Sequence, residues 1–458
     1  MNSKSVAIIG SGISGLITGL KMVKEGMNVV IFEKNDDYGG IYKDSITFGY
    51  DNSFIYLNNI NNDYHFDSYN LDYIYNSYLI KYIYYVNSEK KEICLYQDII
   101  KMINQLIDYA NNDSKNKEQD LKFIRRFKED LEKALKYDFS LETDIKKLYE
   151  RFGHISIYDY FKDFSFKEFN KLMDVYFGND NSFVYFLNIY CLFIELKYRR
   201  IKNNKEFIYR IKKSFEELGG IIKYNSLIDK YDIGIKKFEN EEKIRIKDDY
   251  YDYLIGCCDI NHFYYLLGKG IKNRKIEYLN NNIDVLSLFS ITYENDDNEL
   301  NDGYLSFEIK DEDKFKVGAK FNDNFKIIKN GKIINVSFRQ RKLDYEYFSI
   351  LKKNKKIYKE ELLRIEKDVY SLLSRYLNID GLKCIKIKSP VDFEDDFNIY
   401  KGGINGYQLV SEYLGIQFPV TTEIDKVFIS SSWQRNPFFV NDCFINANKI
   451  SDIIKNRK

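Results

Sequence analysis

The residues whose types and spacing point most clearly to chemistry are three glycines and one acid near the start of the chain. Gly10, Gly12 and Gly15 form a GxGxxG turn after the apolar run 6–9, and Glu33 closes a second apolar run. Gly10 allows the tight turn, Gly12 lets backbone approach a pyrophosphate, and Gly15 brings a helix close to a sheet. Glu33 would accept hydrogen bonds from a ribose diol. The other predicted contacts are neighbours of these residues: Ile13, Ser14 and Lys34.

The elements that must position this turn are a strand, a helix and a second strand. The first strand is predicted over 6–9, a helical pattern follows and ends at Gly26, and the second strand is predicted over 28–32. The helix would direct the positive end of its dipole at a bound phosphate. The order strand, turn, helix, strand and acid predicts a dinucleotide-binding βαβ unit.

A second glycine pair, Gly39-Gly40, follows in the stretch from Glu33, through Lys-Asn-Asp-Asp-Tyr, to Gly40. With this pair the chain resembles the FAD-dependent amine oxidase and phytoene desaturase superfamily, which includes carotenoid desaturase-isomerases and retinol saturase-like enzymes. The resemblance implies FAD as the cofactor, with the pair lying beneath it. Ile41 follows the pair where an arginine is common in that family, so it is a predicted contact that departs from the pattern.

Two later parts of the chain extend the resemblance. Residues 206–233 are typical of an amphipathic helix that ends at Gly219-Gly220 and leads into a strand. In the family this segment places a small aliphatic residue against the adenine, and Ile228 occupies that position. A returning strand over 253–259 and a closing segment over 382–450 follow, the latter ending in a helix from about residue 441.

The predicted fold class is α/β, with a discontinuous Rossmann-like FAD-binding domain of the glutathione-reductase type. It would comprise residues 1–95, 206–273 and 378–458, with an inserted α+β substrate domain. The insert would have a helical part, 96–205, and a strand-rich part, 274–377. Asn330-Gly331 between two apolar runs predicts a hairpin in the second part.

The closing loop, residues 430–442, departs most from the family, which usually has glycines there. Ser431 is a predicted cofactor contact, and Asp442 either caps the last helix or approaches the ribityl chain. Four further residues of the loop are candidate substrate contacts. Trp433 and Arg435 either contact flavin or substrate or pack the loop, and the bulky Phe438 and Phe439 would change or fill the pocket over the flavin ring.

Composition excludes some other functions. Lysine and arginine number 70 and aspartate and glutamate 69, so the net charge of +1 argues against a nucleic-acid binder with a basic surface. Six scattered cysteines and three distant histidines lack metal-ligand spacing, so no metal is predicted. The cysteines are expected to be reduced, and no signal-peptide pattern is visible, so a cytoplasmic protein is expected.

An apolar run over 183–196 is followed by Lys197, Arg199 and Arg200. It falls short of the ~20 apolar residues that span a bilayer, so it predicts a core helix. The alternative is the wall of an apolar substrate tunnel, with the basic residues at a lipid surface or over an anionic substrate group.

Three functions remain open from the sequence. The leading hypothesis is an FAD-dependent oxidoreductase that desaturates, saturates or isomerises a polyene or lipid-like substrate by hydride or electron transfer at flavin N5. The second is an FAD-dependent oxidase or dehydrogenase of an amine or peptide-like metabolite. The third is a flavin-free binding protein that resembles GDP-dissociation inhibitors. The catalytic residues, the electron acceptor and the oligomeric state stay open.

Overall fold

The structure of the protein is a computed structural model. It describes residues 3–43, 54–56, 73–74, 77–86, 89–137, 142–195, 198–201, 203–237, 242–268, 273–285, 287–295, 303–307, 325–340, 342–403, 406–407, 418–431, 433–434 and 440–457. Within these ranges the chain is a mixed α/β protein with a parallel sheet, a larger mixed sheet and a helical region.

The strands within the described ranges are β1 Ser5–Ile9, β2 Asn28–Phe32, β3 Phe54–Tyr56, β4 Tyr73–Ile74, β5 Tyr78–Val86, β6 Glu89–Tyr96, β7 Tyr198–Ile201, β8 Ile221–Lys223, β9 Ile233–Lys237, β10 Glu242–Ile246, β11 Asp249–Tyr251, β12 Tyr253–Gly256, β13 Ser287–Glu294, β14 Gly303–Phe307, β15 Phe325–Asn330, β16 Ile333–Gln340, β17 Lys383–Lys388 and β18 Val427–Ile429. The helices are α1 Ile13–Lys24, α2 Ile99–Asn112, α3 Lys117–Ala134, α4 Glu142–Phe152, α5 Ile157–Phe161, α6 Lys167–Phe177, α7 Phe183–Ile194, α8 Asn204–Glu217, α9 Ile260–Leu267, α10 Arg274–Asn282, α11 Lys342–Lys352, α12 Lys355–Leu377, α13 Pro390–Phe397 and α14 Val440–Asn456.

The parallel sheet has the strand order β18-β12-β1-β2-β8. β1 lies at its centre and pairs in parallel with β2 and β12, and β18 and β8 extend the sheet on either side. Its strands β1, β12 and β18 are mainly buried and apolar because both faces are covered there, with α1, α8 and α14 packed on one face. The sheet therefore unites strands from the beginning, middle and end of the chain, as the resemblance implied.

The larger sheet has the order β17-β13-β16-β15-β14-β5-β6. Its β15–β16 hairpin turns at Asn330-Gly331, where the sequence predicted one. One face of this sheet packs against α11 and α12 in an apolar cluster. Strand β5 and all of β6 except Tyr96 lie within the predicted range 1–95, and β17 lies within 378–458, but all three hydrogen-bond into this sheet. The predicted domain limits stay predictions. They assign these three strands to the FAD-binding domain, whereas the strands pair within the larger sheet.

Helices α2 to α7 surround a core that is rich in aromatic side chains. At its centre is α7, which carries the apolar run singled out in the sequence. Phe183 to Leu187 and Ile189 to Phe193 are all buried there. This is the core helix that the sequence predicts. None of the described helices is long and apolar enough to cross a membrane.

Candidate functional site

The glycine turn, residues 10–15, joins the end of β1 to the start of α1. Gly10 has φ of +99°, in the left-handed region that favours glycine, and an added Cβ would lie 2.9 Å from the Cys257 carbonyl oxygen. An added Cβ on Gly15 would lie 1.9 Å from the Gly10 carbonyl oxygen. These two glycines are therefore required by the protein's own backbone packing.

Gly12 differs from its neighbours because an added Cβ there meets no atom within 4 Å. Its φ of −63° is open to any residue, so the described structure itself gives no reason for a glycine. Gly12 is the N-cap of α1, whose first backbone N–H groups have no acceptor within the helix. The empty space beside it is therefore a cradle for an anion that approaches the backbone.

The second glycine pair lies directly against this cradle. The Gly39 N–H donates to the Ser11 carbonyl at 2.9 Å, and Gly12 and Gly39 form an isolated parallel bridge. Gly39 and Gly40 both have positive φ, and an added Cβ on Gly40 would lie 3.3 Å from Gly12 Cα. The two glycine motifs thus lie side by side on one surface, which the sequence could suggest only through the family resemblance.

Glu33 lies at the end of β2, is 7% exposed, and holds the glycine turn by its side chain. Its Oε2 accepts from the Ser11 N–H at 2.8 Å and from the Ser11 hydroxyl at 2.7 Å. Its Oε1 accepts from the Asn35 N–H at 2.9 Å. A carboxylate offers about four acceptor positions, so about one is left for a ribose hydroxyl.

Residues from the middle of the chain hydrogen-bond to Glu33, directly after β2. The Ser226 N–H donates to the Glu33 carbonyl at 2.7 Å, and the Glu33 N–H donates to the Lys223 carbonyl at 3.0 Å. Ile228, two residues beyond Ser226, is buried. It lies on the wall of the same cleft as Glu33.

Residues near the end of the chain hydrogen-bond to α1, the helix that follows the glycine turn. The Thr18 hydroxyl donates to the Ser430 hydroxyl at 3.1 Å, and the Ser430 N–H donates to the Gly256 carbonyl at 2.9 Å. The Ser14 hydroxyl and the Cys443 thiol lie 3.1 Å apart, within hydrogen-bonding distance. Helix α1 is therefore hydrogen-bonded to Ser430, which directly follows β18, and to α14, which carries Cys443.

A cleft of about 990 Å³, counting the part open to solvent, is lined by the glycine turn, the second glycine pair and Glu33, and by residues within 226–228, 257–262 and 397–399. We call this space the nucleotide cleft. Its lining is Ile9, Gly10, Gly12, Ile13, Ser14, Phe32, Glu33, Lys34, Asn35, Gly39, Gly40, Ile41, Tyr42, Ser226, Leu227, Ile228, Cys257, Cys258, Asp259, His262, Phe397, Asn398 and Ile399.

Most of the predicted cofactor contacts lie on this wall. They are Gly10, Gly12, Ile13, Ser14, Glu33, Lys34, Gly39, Gly40, Ile41 and Ile228. Gly15 lies behind the wall, at the contact of α1 with the strand end, which is the packing task expected of it.

The described part of the closing loop does not line the nucleotide cleft. The Ser431 N–H donates to Gln434 Oε1 at 2.8 Å, so Ser431 closes a local turn. Trp433 is buried, edge-on to the Tyr407 ring at 4.9 Å. Asp442 is buried in the first turn of α14, where the helix dipole favours a carboxylate. The packing role that the sequence allowed for Trp433 fits its position, and Asp442 lies at the start of the last helix, where the sequence placed a capping residue.

Three residues of that loop, Arg435, Phe438 and Phe439, lie outside the described residues. Their predicted roles at the flavin or the substrate stay predictions.

Sequence reasoning missed Asp259, which lines the cleft just after β12. Its Oδ1 accepts from the Asn261 and His262 N–H groups at 2.8 and 3.0 Å, which caps α9. Its Oδ2 accepts from the Tyr400 N–H at 3.3 Å. Burial raises the pKa of Asp259 to about 6, although these hydrogen bonds oppose the shift. An acid at the carboxyl end of a predicted strand was the signal that could have identified it.

Two basic side chains complete the wall. Burial lowers the pKa of Lys34, and nearby acids, chiefly Glu33, oppose that shift. Burial also lowers the pKa of His262, and the charge of Lys34 adds to this effect. Lys34 also reaches the Asp395 carbonyl oxygen at 3.4 Å. Within the described residues, no group of three or more His, Cys, Asp or Glu side chains could hold a metal ion.

The nucleotide cleft fits the adenosine diphosphate half of FAD. The open space at Gly12 and its position at the N-terminus of α1 suit a pyrophosphate. The acceptor position left on Glu33 suits a ribose hydroxyl, and the buried Ile228 lies where the family places adenine. The fit rests on this chain's own backbone and side chains.

Comparison with known proteins agrees with this geometry. A family model described as an NAD(P)-binding Rossmann-like domain matches residues 8–67. Among curated proteins, none matches. An oxidoreductase from Methanosarcina mazei superposes with a TM-score of 0.59 and 11% identity, over 98% of this chain and 100% of the other.

Putrescine oxidase is also similar in structure. The wild-type enzyme bound to putrescine superposes with a TM-score of 0.58 and 12% identity, over 99% of each chain. A double mutant from a redesign of its cofactor binding has the same TM-score and identity over 99% of this chain and 100% of the other. At such low identity the likeness establishes a shared fold.

Proposed function

This chain has the fold of the amine oxidase type of oxidoreductase, and on that premise we propose that it is an FAD-dependent oxidase or dehydrogenase of an amine or peptide-like metabolite. The likeness to putrescine oxidase over nearly the whole chain supports the amine class. The polyene alternative receives less support, because the apolar helix α7 that suggested a tunnel is part of a packed core.

The observation that carries the proposal is the empty space at Gly12. A glycine with an ordinary φ and no neighbour within 4 Å of its added Cβ is explained by a ligand that must contact backbone. The second glycine pair at the same surface supports a flavin dinucleotide, since the family resemblance places that pair beneath FAD. The third hypothesis, a flavin-free binding protein, gives no account of this cradle.

When bound, FAD supplies the redox chemistry at its flavin ring. The residues of this chain would bind FAD and orient it. Gly12 and the first N–H groups of α1 hold the pyrophosphate, and Glu33 fixes the turn while offering its remaining acceptor position to the ribose. The predicted domain arrangement would place substrate between the parallel sheet and the larger sheet. No side-chain nucleophile is required for such a reaction.

The location and partners of the protein are part of the proposal. All six cysteines are free, and four of them are buried, which supports a cytoplasmic protein. The proposed partners are a small-molecule amine substrate and an electron acceptor, with no nucleic acid.

The visible absorption spectrum of the purified protein tests the cofactor assignment. We expect flavin bands, either on purification or after incubation with FAD and gel filtration. Anaerobic mixing with amines should then bleach those bands, whereas retinol should leave them unchanged. A colourless protein that does not retain added FAD would contradict the proposal, and bleaching by retinol alone would favour the polyene alternative.

A further inference from the structure

One corner of the nucleotide cleft is formed by Leu227, Ile228 and His262. Leu227 and Ile228 come from the loop after β8, and His262 comes from α9. Ile228 is buried, but Leu227 is 55% exposed although it lines the cleft. Covering the apolar surface of Leu227 with a ligand would be favourable. We call these three residues the His262 corner.

Two contacts join the two sides of the His262 corner. Lys230 Nζ, two residues beyond Ile228, lies 4.9 Å from the centre of the Tyr231 ring and 5.7 Å from the centre of the Tyr265 ring. These distances are within the range of a cation–π interaction. The Tyr265 ring is stacked with the His262 ring, with 6.3 Å between the ring centroids. The loop that carries Ile228 is therefore joined to the part of α9 that carries His262.

The backbone of His262 is fixed, while its imidazole is available to a ligand. The His262 N–H donates to Asp259 Oδ1 at 3.0 Å, within the cap of α9. Among the residues that the structure describes, neither ring nitrogen of His262 has a hydrogen-bond partner. The ring lies on the cleft wall and is half-buried. A ligand in the cleft would therefore find an imidazole whose position is set in advance.

The charge of the imidazole restricts what it can bind. Burial, and to a smaller extent the charge of Lys34, holds the pKa of His262 below its ordinary value. The ring is therefore neutral at pH 7, with one N–H donor and one acceptor nitrogen. A phosphate accepts hydrogen bonds only and would favour the charged ring. Adenine has an acceptor, N7, beside an amino donor, N6, and so suits a neutral imidazole.

We infer that His262 recognises the adenine of the bound dinucleotide through a hydrogen bond between its imidazole and the polar edge of the base. This inference rests on the proposed function, and it adds a polar contact to the apolar one predicted for Ile228. Leu227 and Ile228 provide apolar surface for the base, and His262 orients it. Glu33 and the cradle at Gly12 remain for the ribose and the pyrophosphate.

Nuclear magnetic resonance of the imidazoles tests this inference, because the chain contains only three histidines. Full-length protein is labelled with carbon-13 at histidine Cε1 and freed of flavin. The His262 signal is identified by its loss in His262→Gln. We expect ADP to shift this signal and to leave the signal of His154, an exposed residue between α4 and α5, in place. Inorganic pyrophosphate, which lacks the base, should leave the His262 signal in place.

Calorimetric titration of variants with ADP measures the contribution of the imidazole. His262→Leu should bind ADP about tenfold more weakly, because leucine leaves the polar edge of the base unpaired. His262→Gln keeps a donor and an acceptor, so its affinity should stay within about threefold of the native value. His154→Leu removes the same side chain outside the cleft and is the matched control, which should bind ADP as the native protein does. If His262→Leu does not fold, the ADP-dependent shift in the native protein still decides.

Three results would overturn the inference while the cofactor assignment stands. ADP binds but leaves the His262 signal in place, pyrophosphate shifts that signal as far as ADP does, or folded His262→Leu binds ADP with the native affinity. A protein that binds neither ADP nor FAD is a different result, because it removes the proposed function itself.

Discussion

Ser11 donates two hydrogen bonds to a single oxygen of Glu33, one from its backbone N–H at 2.8 Å and one from its hydroxyl at 2.7 Å. This pair joins the glycine turn to the end of β2. The acid therefore has a structural task that exists before any ribose arrives, and the same carboxylate connects the stability of the turn to nucleotide binding.

Glu33→Gln should lower both stability and FAD affinity, because an amide cannot accept through both of its terminal atoms. Hydrogen bonds to a charged group contribute about 1.5–3 kcal/mol, so we expect a loss of that size in the free energy of unfolding. Ser11→Ala should cost less, since the backbone N–H bond remains. A double-mutant cycle by urea denaturation should give a coupling of at least about 0.5 kcal/mol. Additive losses would mean that the two residues do not act together.

Gly12→Val should separate cofactor binding from folding. The side chain enters open space at an ordinary φ, so the unfolding free energy of the apoprotein should change by no more than about 1 kcal/mol. FAD affinity should fall roughly tenfold to a hundredfold, because the methyl groups occupy the pyrophosphate position. Gly26→Val, at φ of +78° and away from the cleft, is the control. It should destabilise the fold and leave the FAD affinity of the folded protein unchanged. If Gly12→Val instead destabilised the fold and left the FAD affinity unchanged, the space at Gly12 would not be the pyrophosphate site.

The raised pKa of Asp259 predicts a specific pH dependence of the free energy of unfolding. Its folded pKa of about 6 is above the unfolded value, so the native state binds the extra proton between about pH 4 and 6. The contribution of this residue to stability is thus present at low pH and lost as pH rises through about 6, by at most about 3 kcal/mol. Melting temperatures of native protein and Asp259→Asn should diverge across this range, with the variant flatter. Parallel curves, like those expected for exposed Asp425→Asn, would contradict the assignment.

Phe186 tests whether α7 is core or tunnel wall. Its ring is fully buried, with the Phe177, Phe183 and Tyr190 rings within 5.4 Å between centroids. Phe186→Ala should cost about 3–5 kcal/mol of unfolding free energy, as cavity-forming substitutions do. Tyr158→Ala, at a 57% exposed position, should cost little. Equal, small losses for both variants would indicate that Phe186 lines an open space.

The cofactor half of the fold could be predicted from the sequence because its signals are local. The glycine turn, the strand before it and Glu33 lie within a short segment, so the βαβ motif specifies their arrangement. Ile228 required the family resemblance, since nothing in its own segment indicates a nucleotide. The pair of hydrogen bonds from Ser11 to Glu33 could not be predicted, because spacing does not reveal how a carboxylate divides its acceptor positions.

The larger sheet was harder to predict because its pairings span long stretches of chain. β5 pairs with β14, so that Lys81 lies beside Leu305, and β17 closes the other edge. Such pairings depend on tertiary packing, which local hydrophobic patterns do not encode. The hydrogen bond from Asn335 to Ser290 could not be predicted for the same reason, since it depends on the register of β13 and β16.

Calorimetric titration of the apoprotein with FAD, and separately with FMN, tests the central claim most directly. FMN carries the same flavin but lacks the adenosine that the cleft between the glycine turn, Glu33 and Ile228 should hold. We expect one equivalent of FAD to bind, ADP to compete with it, and FMN to bind far more weakly. Equal binding of FMN and FAD, or no binding of either, would contradict the account.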